Sequence, residues 1–208
     1  VQTFHPYRNR YTALEDSPLF NEPQWMTRDG HLSLGLIERA ILEELVVGYY
    51  ITTVPNILGL DIDDHSGLGE GYLLSLLGQS TRALAGCTPS LLFRSPHGMH
   101  AYWVLTERIP FDVLRECAEE RLGRIPVEIK PTPHTALRIP AESKAIDPDN
   151  MQLLNVPLGA ILPSITCYHP STLFDLDYVS EQVRETLQSK RAKTRVLRAL
   201  PKIERVEG

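Results

Sequence analysis

The sequence is poor in cysteine. Only Cys87, Cys117 and Cys167 occur among 208 residues, and no two form a Cys-x-x-Cys pair. That spacing argues against a zinc ribbon or knuckle, and the odd, sparse count argues against a disulfide-built secreted domain. A reducing, cytoplasmic setting is the expectation. No apolar run approaches the roughly 20 residues that span a bilayer, so no membrane partner is expected. A Gly-x-x-x-x-Gly-Lys loop is absent, which excludes a P-loop NTPase. The Gly-x-Ser-x-Gly elbow of a serine hydrolase is also absent. So is the His-x-His signature of a replication-initiator nuclease. His31, His65, His134 and His169 have no metal-ligand spacing. No N-terminal signal pattern is visible, and Val1 in place of Met reads as an excised fragment.

What is present fits a globular chain. Hydrophobic residues make up 42% and charged residues 23%, enough apolar surface to exclude wholesale disorder. The 16 prolines read as rigid turns between short elements. Charge is divided unevenly. Residues 1–183 carry 13 basic and 23 acidic groups, a balance of −10. Residues 184–205 carry eight basic groups against Glu185 and Glu204, a balance of +6. The acidic body suits divalent cations. The tail reads either as a solvated helix or as a phosphate contact.

Residues 1–31 are polar and turn-rich, with scattered aromatics and poor periodicity. Leu34, Ile37, Ile41, Leu42 and Leu45 recur near a 3.6 period and predict a helix over 32–47, capped by Ser33. Residues 57–63 predict a buried strand ending in acids. A helix follows over 71–85, with Leu73, Leu76, Leu77 and Leu84 inward and Gly86 ending it. Residues 90–94 and 99–105 predict a hairpin around the turn Ser95-Pro96-His97-Gly98. A helix over 111–122 sits between Pro110 and Gly123, and residues 126–130 predict a fourth strand. Residues 136–140 offer a fifth. From Ile57 to Lys130 the order is β-α-β-β-α-β, the ferredoxin-like or RRM-like unit, whose first strand lies between the third and fourth. The expected class is therefore α+β: an N-terminal α/β extension over 1–56, the RRM-like core over 57–178 and a basic helical tail over 179–208.

The chemistry collects on that core. Asp61 and Asp63 are two apart on one strand, so their carboxylates share a face about 6–7 Å apart. They read either as a strand end emerging into solvent or as a site where a hard cation relieves their repulsion. Glu128 lies in the apolar strand expected beside them. It is either a solvent-face residue or a third carboxylate, and three carboxylates can hold two metal ions. His100 opens the third strand on the other flank, as a backbone-bonded histidine or as a phosphate contact. Ser95, His97 and the Gly98 backbone can donate to phosphate from the adjacent turn. Lys130 and Arg138 are surface charges or counter-ions for a triphosphate. Arg94 is a weaker candidate of the same kind.

In these residues the chain resembles the archaeo-eukaryotic primase superfamily. The motifs are Leu60-Asp61-Ile62-Asp63, then Ser95 to Trp103 with Gly98-Met99-His100, then Val127-Glu128-Ile129-Lys130 followed by Leu137-Arg138-Ile139-Pro140. The likeness covers about residues 55–145. It implies an RRM-like catalytic core and metal ligation by Asp61, Asp63 and Glu128, with Mg²⁺ or Mn²⁺ as two ions. It implies phosphate contact by His100, with His97 the choice under the shorter Ser-x-His spacing. Lys130 and Arg138 match basic positions. The expected activity is that of a DNA primase-polymerase, transferring nucleotidyl groups from triphosphates to a 3′-hydroxyl. Its partners would be a single-stranded DNA template, a primer and nucleoside triphosphates, with a helicase or accessory domain in a longer polypeptide. Two alternatives share the core: an RRM-like nucleic-acid binder without catalysis, and another metal-dependent enzyme such as a nuclease or nucleotidyl cyclase. An RNA-binding RRM needs aromatics on its first and third strands. Here Tyr102 fits, but the first strand offers acids.

Overall fold

The computed structural model describes residues 7–15, 23–29, 32–154 and 156–174. The predicted helix over 179–200 and the basic run over 184–205 lie outside the described residues, as does His31. In chain order the elements are β1 (Tyr7–Glu15), β2 (Gln24–Asp29), α1 (Leu34–Ile41), β3 (Val47–Ile51), β4 (Ile57–Asp63) and α2 (Glu70–Ala83). Then come β5 (Leu91–Arg94), β6 (Gly98–Leu105), α3 (Phe111–Leu122), β7 (Glu128–Ile129) and β8 (Leu137–Arg138). The short pieces β9 (Ala145–Ile146), α4 (Leu158–Ile161), β10 (Cys167–Tyr168) and α5 (Pro170–Leu173) complete them.

The fold is mixed α/β with two largely antiparallel sheets, consistent with an α+β class. One sheet has the order β7-β4-β6-β5-β9, so β4 lies between β6 and β7. β10 runs parallel to β6, pairing Cys167 with Val104 where β5 has already stopped. The other sheet has the order β2-β1-β3-β8.

Period-2 alternation gives the two faces of the first sheet different roles. Leu58, Leu60 and Ile62 of β4, with Met99, Ala101 and Trp103 of β6, point to one face. They pack with Leu76 and Leu77 of α2 and with Val113, Leu114, Cys117 and Ala118 of α3 in one buried cluster. Trp103 is fully buried, and its indole N–H donates to the Cys87 carbonyl at 2.9 Å. A side chain of this kind contributes roughly 1.5–3 kcal/mol by burial. Asp61, Asp63 and His100 point to the opposite face, where Phe93, Tyr102 and Val104 form a second cluster with Ile51 and Leu137.

Four expectations are corrected. Residues 1–31 carry two strands: β1 pairs β2 from Arg10–Asp29 to Glu15–Gln24. The helix over 32–47 is shorter. Ser33 does cap it, its Oγ accepting from the Leu36 N–H at 3.2 Å. It ends at Leu42, because Glu43 takes a left-handed backbone (φ 63°), and Val47 already belongs to β3. Leu34, the first residue of that apolar period, is 84% exposed, and Leu42 is exposed as well. The fourth strand shrinks to Glu128–Ile129. The fifth, β8, leaves the core sheet to pair with β3, placing Arg138 opposite Gly48.

Candidate active site

The site is a row of residues across one sheet face. Register pairs Glu128 of β7 with Asp61 of β4, Asp61 with His100 of β6, and His100 with Phe93 of β5. Residues directly opposite in an antiparallel pair share a face, so one acid, a second acid and a histidine stand side by side. Two residues further along β4, Asp63 pairs with Gly98. A Cβ at Gly98 would collide with the Ile62 carbonyl oxygen. Glycine there lets the strands close and leaves Asp63 without a cross-strand side chain.

Gly59 places the cation. Its carbonyl accepts from the Lys130 N–H at 3.1 Å, and a Cβ on Gly59 would strike the Lys130 carbonyl oxygen. The backbone just past β7 therefore hugs β4, and the Lys130 side chain reaches the acids. Lys130 Nζ lies 3.2 Å from Asp61 Oδ2 and 2.6 Å from Glu128 Oε2. On the other flank His100 Nε2 lies 3.3 Å from Asp61 Oδ1, an ion-pair distance without hydrogen-bond geometry. Asp61 Oδ1 and His100 Nδ1 are buried with no hydrogen-bond partner. Burial pushes the Asp61 carboxyl up, but His100 and Lys130 more than offset that and hold it below the usual carboxylate range. Burial and then the Asp61 charge push the Asp63 carboxyl up. Burial alone would lower the Lys130 ammonium, yet its bonds to Glu128 and Asp61 keep it above its ordinary value.

The other expected residues divide. Ser95 joins the turn beside the site. Its N–H donates to the Gly98 carbonyl at 2.9 Å, and its buried Oγ has no partner. His97 is exposed, and its carbonyl accepts from the Asp64 N–H at 2.9 Å. His100, not His97, is the histidine in the row. Arg138 sits on β8 in the second sheet and is not part of the Asp61–Lys130–Glu128 chain. Arg94 is taken by Glu70 at 2.5 Å. Asp64 shapes the loop before α2: its two carboxylate oxygens accept from the Ser66 N–H at 3.1 Å and the Gly69 N–H at 2.6 Å. Sequence reasoning missed Tyr49. It lies on β3 beside Tyr102, whose hydroxyl is pushed far up by burial first and by Tyr49 next. The signal was Val47-Gly48-Tyr49-Tyr50-Ile51, a run of strand-forming residues hidden behind the helical period that precedes it.

Among the described residues no three His, Cys, Asp or Glu side chains already stand at metal-binding spacing. The donor set nonetheless fits a hard cation. Asp61 and Asp63 offer carboxylate oxygens from one face of β4, and Asp61 Oδ1 is a buried acceptor lacking a donor.

No protein-family model matches the chain, and no curated protein is similar to it. Among solved structures it is similar to the AEP domain of the cyanophage S-2L primase-polymerase, at a TM-score of 0.38 and 14% identity. That similarity covers 76% of this chain and 88% of the other. At such values it establishes neither a shared fold nor shared chemistry, and the functional reading rests on the chain's own site. Among the described residues no helix is long and apolar enough to cross a membrane.

Proposed function

We propose that this chain is a nucleotidyltransferase of the primase-polymerase kind, its β7-β4-β6-β5 sheet with α2 and α3 serving as an RRM-like catalytic core. The observation that carries the reading is the Glu128–Asp61–His100 row, in which Asp61 Oδ1 and His100 Nδ1 are buried without a hydrogen-bond partner among the described residues. Buried polar groups are normally paired, and exceptions call for a completing group such as a water or an ion.

Asp61 and Asp63, joined by Glu128, would hold Mg²⁺ or Mn²⁺. Such ions, when bound, stabilise developing phosphate charge and make a hydroxyl a better nucleophile. The chain's residues set the geometry. His100 is fixed beside Asp61 by β6, and a small opening of this face would let its buried ring meet a phosphate oxygen. Ser95 Oγ and the N–H groups of His97 and Gly98 would be further donors beside it. Lys130 contributes a mobile positive charge at the same mouth. Such a site works by positioning and charge stabilisation, with little covalent work for the protein. The substrates are a nucleoside triphosphate and the 3′-hydroxyl of a primer or first nucleotide on single-stranded DNA. The test is extension of a labelled primer on a single-stranded template with Mg²⁺, then Mn²⁺. Extension that disappears in Asp63→Asn supports the reading. A shortened strand or a cyclic nucleotide as the product contradicts it.

A further inference from the structure

The position of Lys130 carries an inference beyond the proposed chemistry, although it rests on that reading of the site. The Lys130 ammonium lies 3.2 Å from Asp61 Oδ2 and 2.6 Å from Glu128 Oε2, between the two acids that would share a cation. A divalent ion joining those oxygens cannot coexist with an ammonium there, because like charges at contact distance repel strongly. The Lys130 backbone is pinned by Gly59, so only the side chain is free to leave. It has a route out: its side chain is 26% exposed, and that of Glu128 is 63% exposed. Its four-carbon stem is flexible, and an ammonium has no fixed fork geometry to lose.

We infer that Lys130 is an exchangeable counter-ion. It holds Asp61 and Glu128 together before metal arrives, is displaced by the divalent ion, and then meets the triphosphate. The same charge thus opposes metal binding and assists nucleotide binding, which makes the order metal first, nucleotide second.

The test uses Mn²⁺ alone as probe. Lys130→Met keeps the stem and removes the charge. It should bind Mn²⁺ about tenfold more tightly than wild type without nucleotide, and bind ATP more weakly once Mn²⁺ is saturating. Lys130→Arg should bind Mn²⁺ no more tightly than wild type. A second measurement needs no variant: amine acylation of the wild-type chain, mapped by mass spectrometry, with exposed Lys144 as internal reference. Mn²⁺ should accelerate acylation of Lys130 relative to Lys144. Unchanged or weaker Mn²⁺ binding in Lys130→Met, with binding still lost in Asp61→Asn, overturns the inference and leaves the proposed function standing. Acylation of Lys130 that Mn²⁺ leaves unchanged or slows overturns it likewise. Absence of Mn²⁺ binding in wild type and Lys130→Met alike overturns both.

Discussion

Among the described residues, two acid–histidine pairs share nearly the same length in very different surroundings. Asp61 and His100 approach to 3.3 Å, and Glu107 and His169 to 3.1 Å. The first pair has side-chain exposures of 8% and 9%. The second has 63% and 46%. In the second pair both ring nitrogens are used: Nε2 faces Glu107, and Nδ1 meets Ser171 Oγ at 2.7 Å and caps α5 by accepting from the Ser171 N–H. In the first, His100 Nδ1 and Asp61 Oδ1 have no hydrogen-bond partner. Distance does not separate a site from a surface ornament. Burial with unused bonding capacity does, because unsatisfied groups cost free energy only where water cannot reach them.

The sharpest way to break this contrast is activity. Asp61→Ala should lower template-directed synthesis by about 10³-fold or more, whereas His169→Ala should stay within about twofold of wild type. Comparable losses in both would show that burial is the wrong criterion.

Stability comes next. In metal-free protein, Asp61→Asn removes the buried carboxylate that faces His100 and Lys130, leaving Lys130 with Glu128 alone, and should cost about 2 kcal/mol in urea unfolding. Glu107→Gln should cost less than about 0.5 kcal/mol, since exposed ion pairs contribute little. Gly59→Ala should cost about 2 kcal/mol, because the new Cβ meets Lys130 backbone and strands cannot yield without losing the pairing that aims the cation.

The smallest effect concerns pH. Asp63 has its carboxyl raised in the folded state by burial and by Asp61. A raised carboxyl contributes stability below its unfolded pKa, near 4, and loses it as pH rises through the folded value. At neutral pH the ionised Asp63 therefore destabilises. Asp63→Asn should raise the urea midpoint slightly at pH 7 without divalent ions, and that gain should vanish by about pH 4. Asp61 has the opposite sign: its lowered carboxyl stabilises above its unfolded pKa, and that contribution is lost as pH falls through the lower folded value.

Much of the core was legible in the sequence because local period and neighbour pairing decide it. The elements from Ile57 to Ile129 alternate or repeat clearly, and short turns join β5 to β6. The strand beginning at Tyr7 was not legible: Tyr-Arg-Asn-Arg-Tyr-Thr-Ala-Leu-Glu is held by pairing with β3, far along the chain, more than by its own apolar pattern. β8 defeated prediction for the same reason, since two residues cannot announce which sheet they join. At the site, alternation correctly put Lys130 on the Glu128 face. It could not show Lys130 bridging Glu128 to Asp61, because that depends on the missing side chain of Gly59 on β4, three strands earlier in sequence order.

The most direct measurement is primer extension on single-stranded template by wild type, Asp61→Ala and His169→Ala side by side, in Mg²⁺ and in Mn²⁺, with circular dichroism confirming that each is folded. The buried row predicts extension by wild type and His169→Ala and none by Asp61→Ala. Extension by a folded Asp61→Ala, or none by folded wild type in either metal, would contradict it.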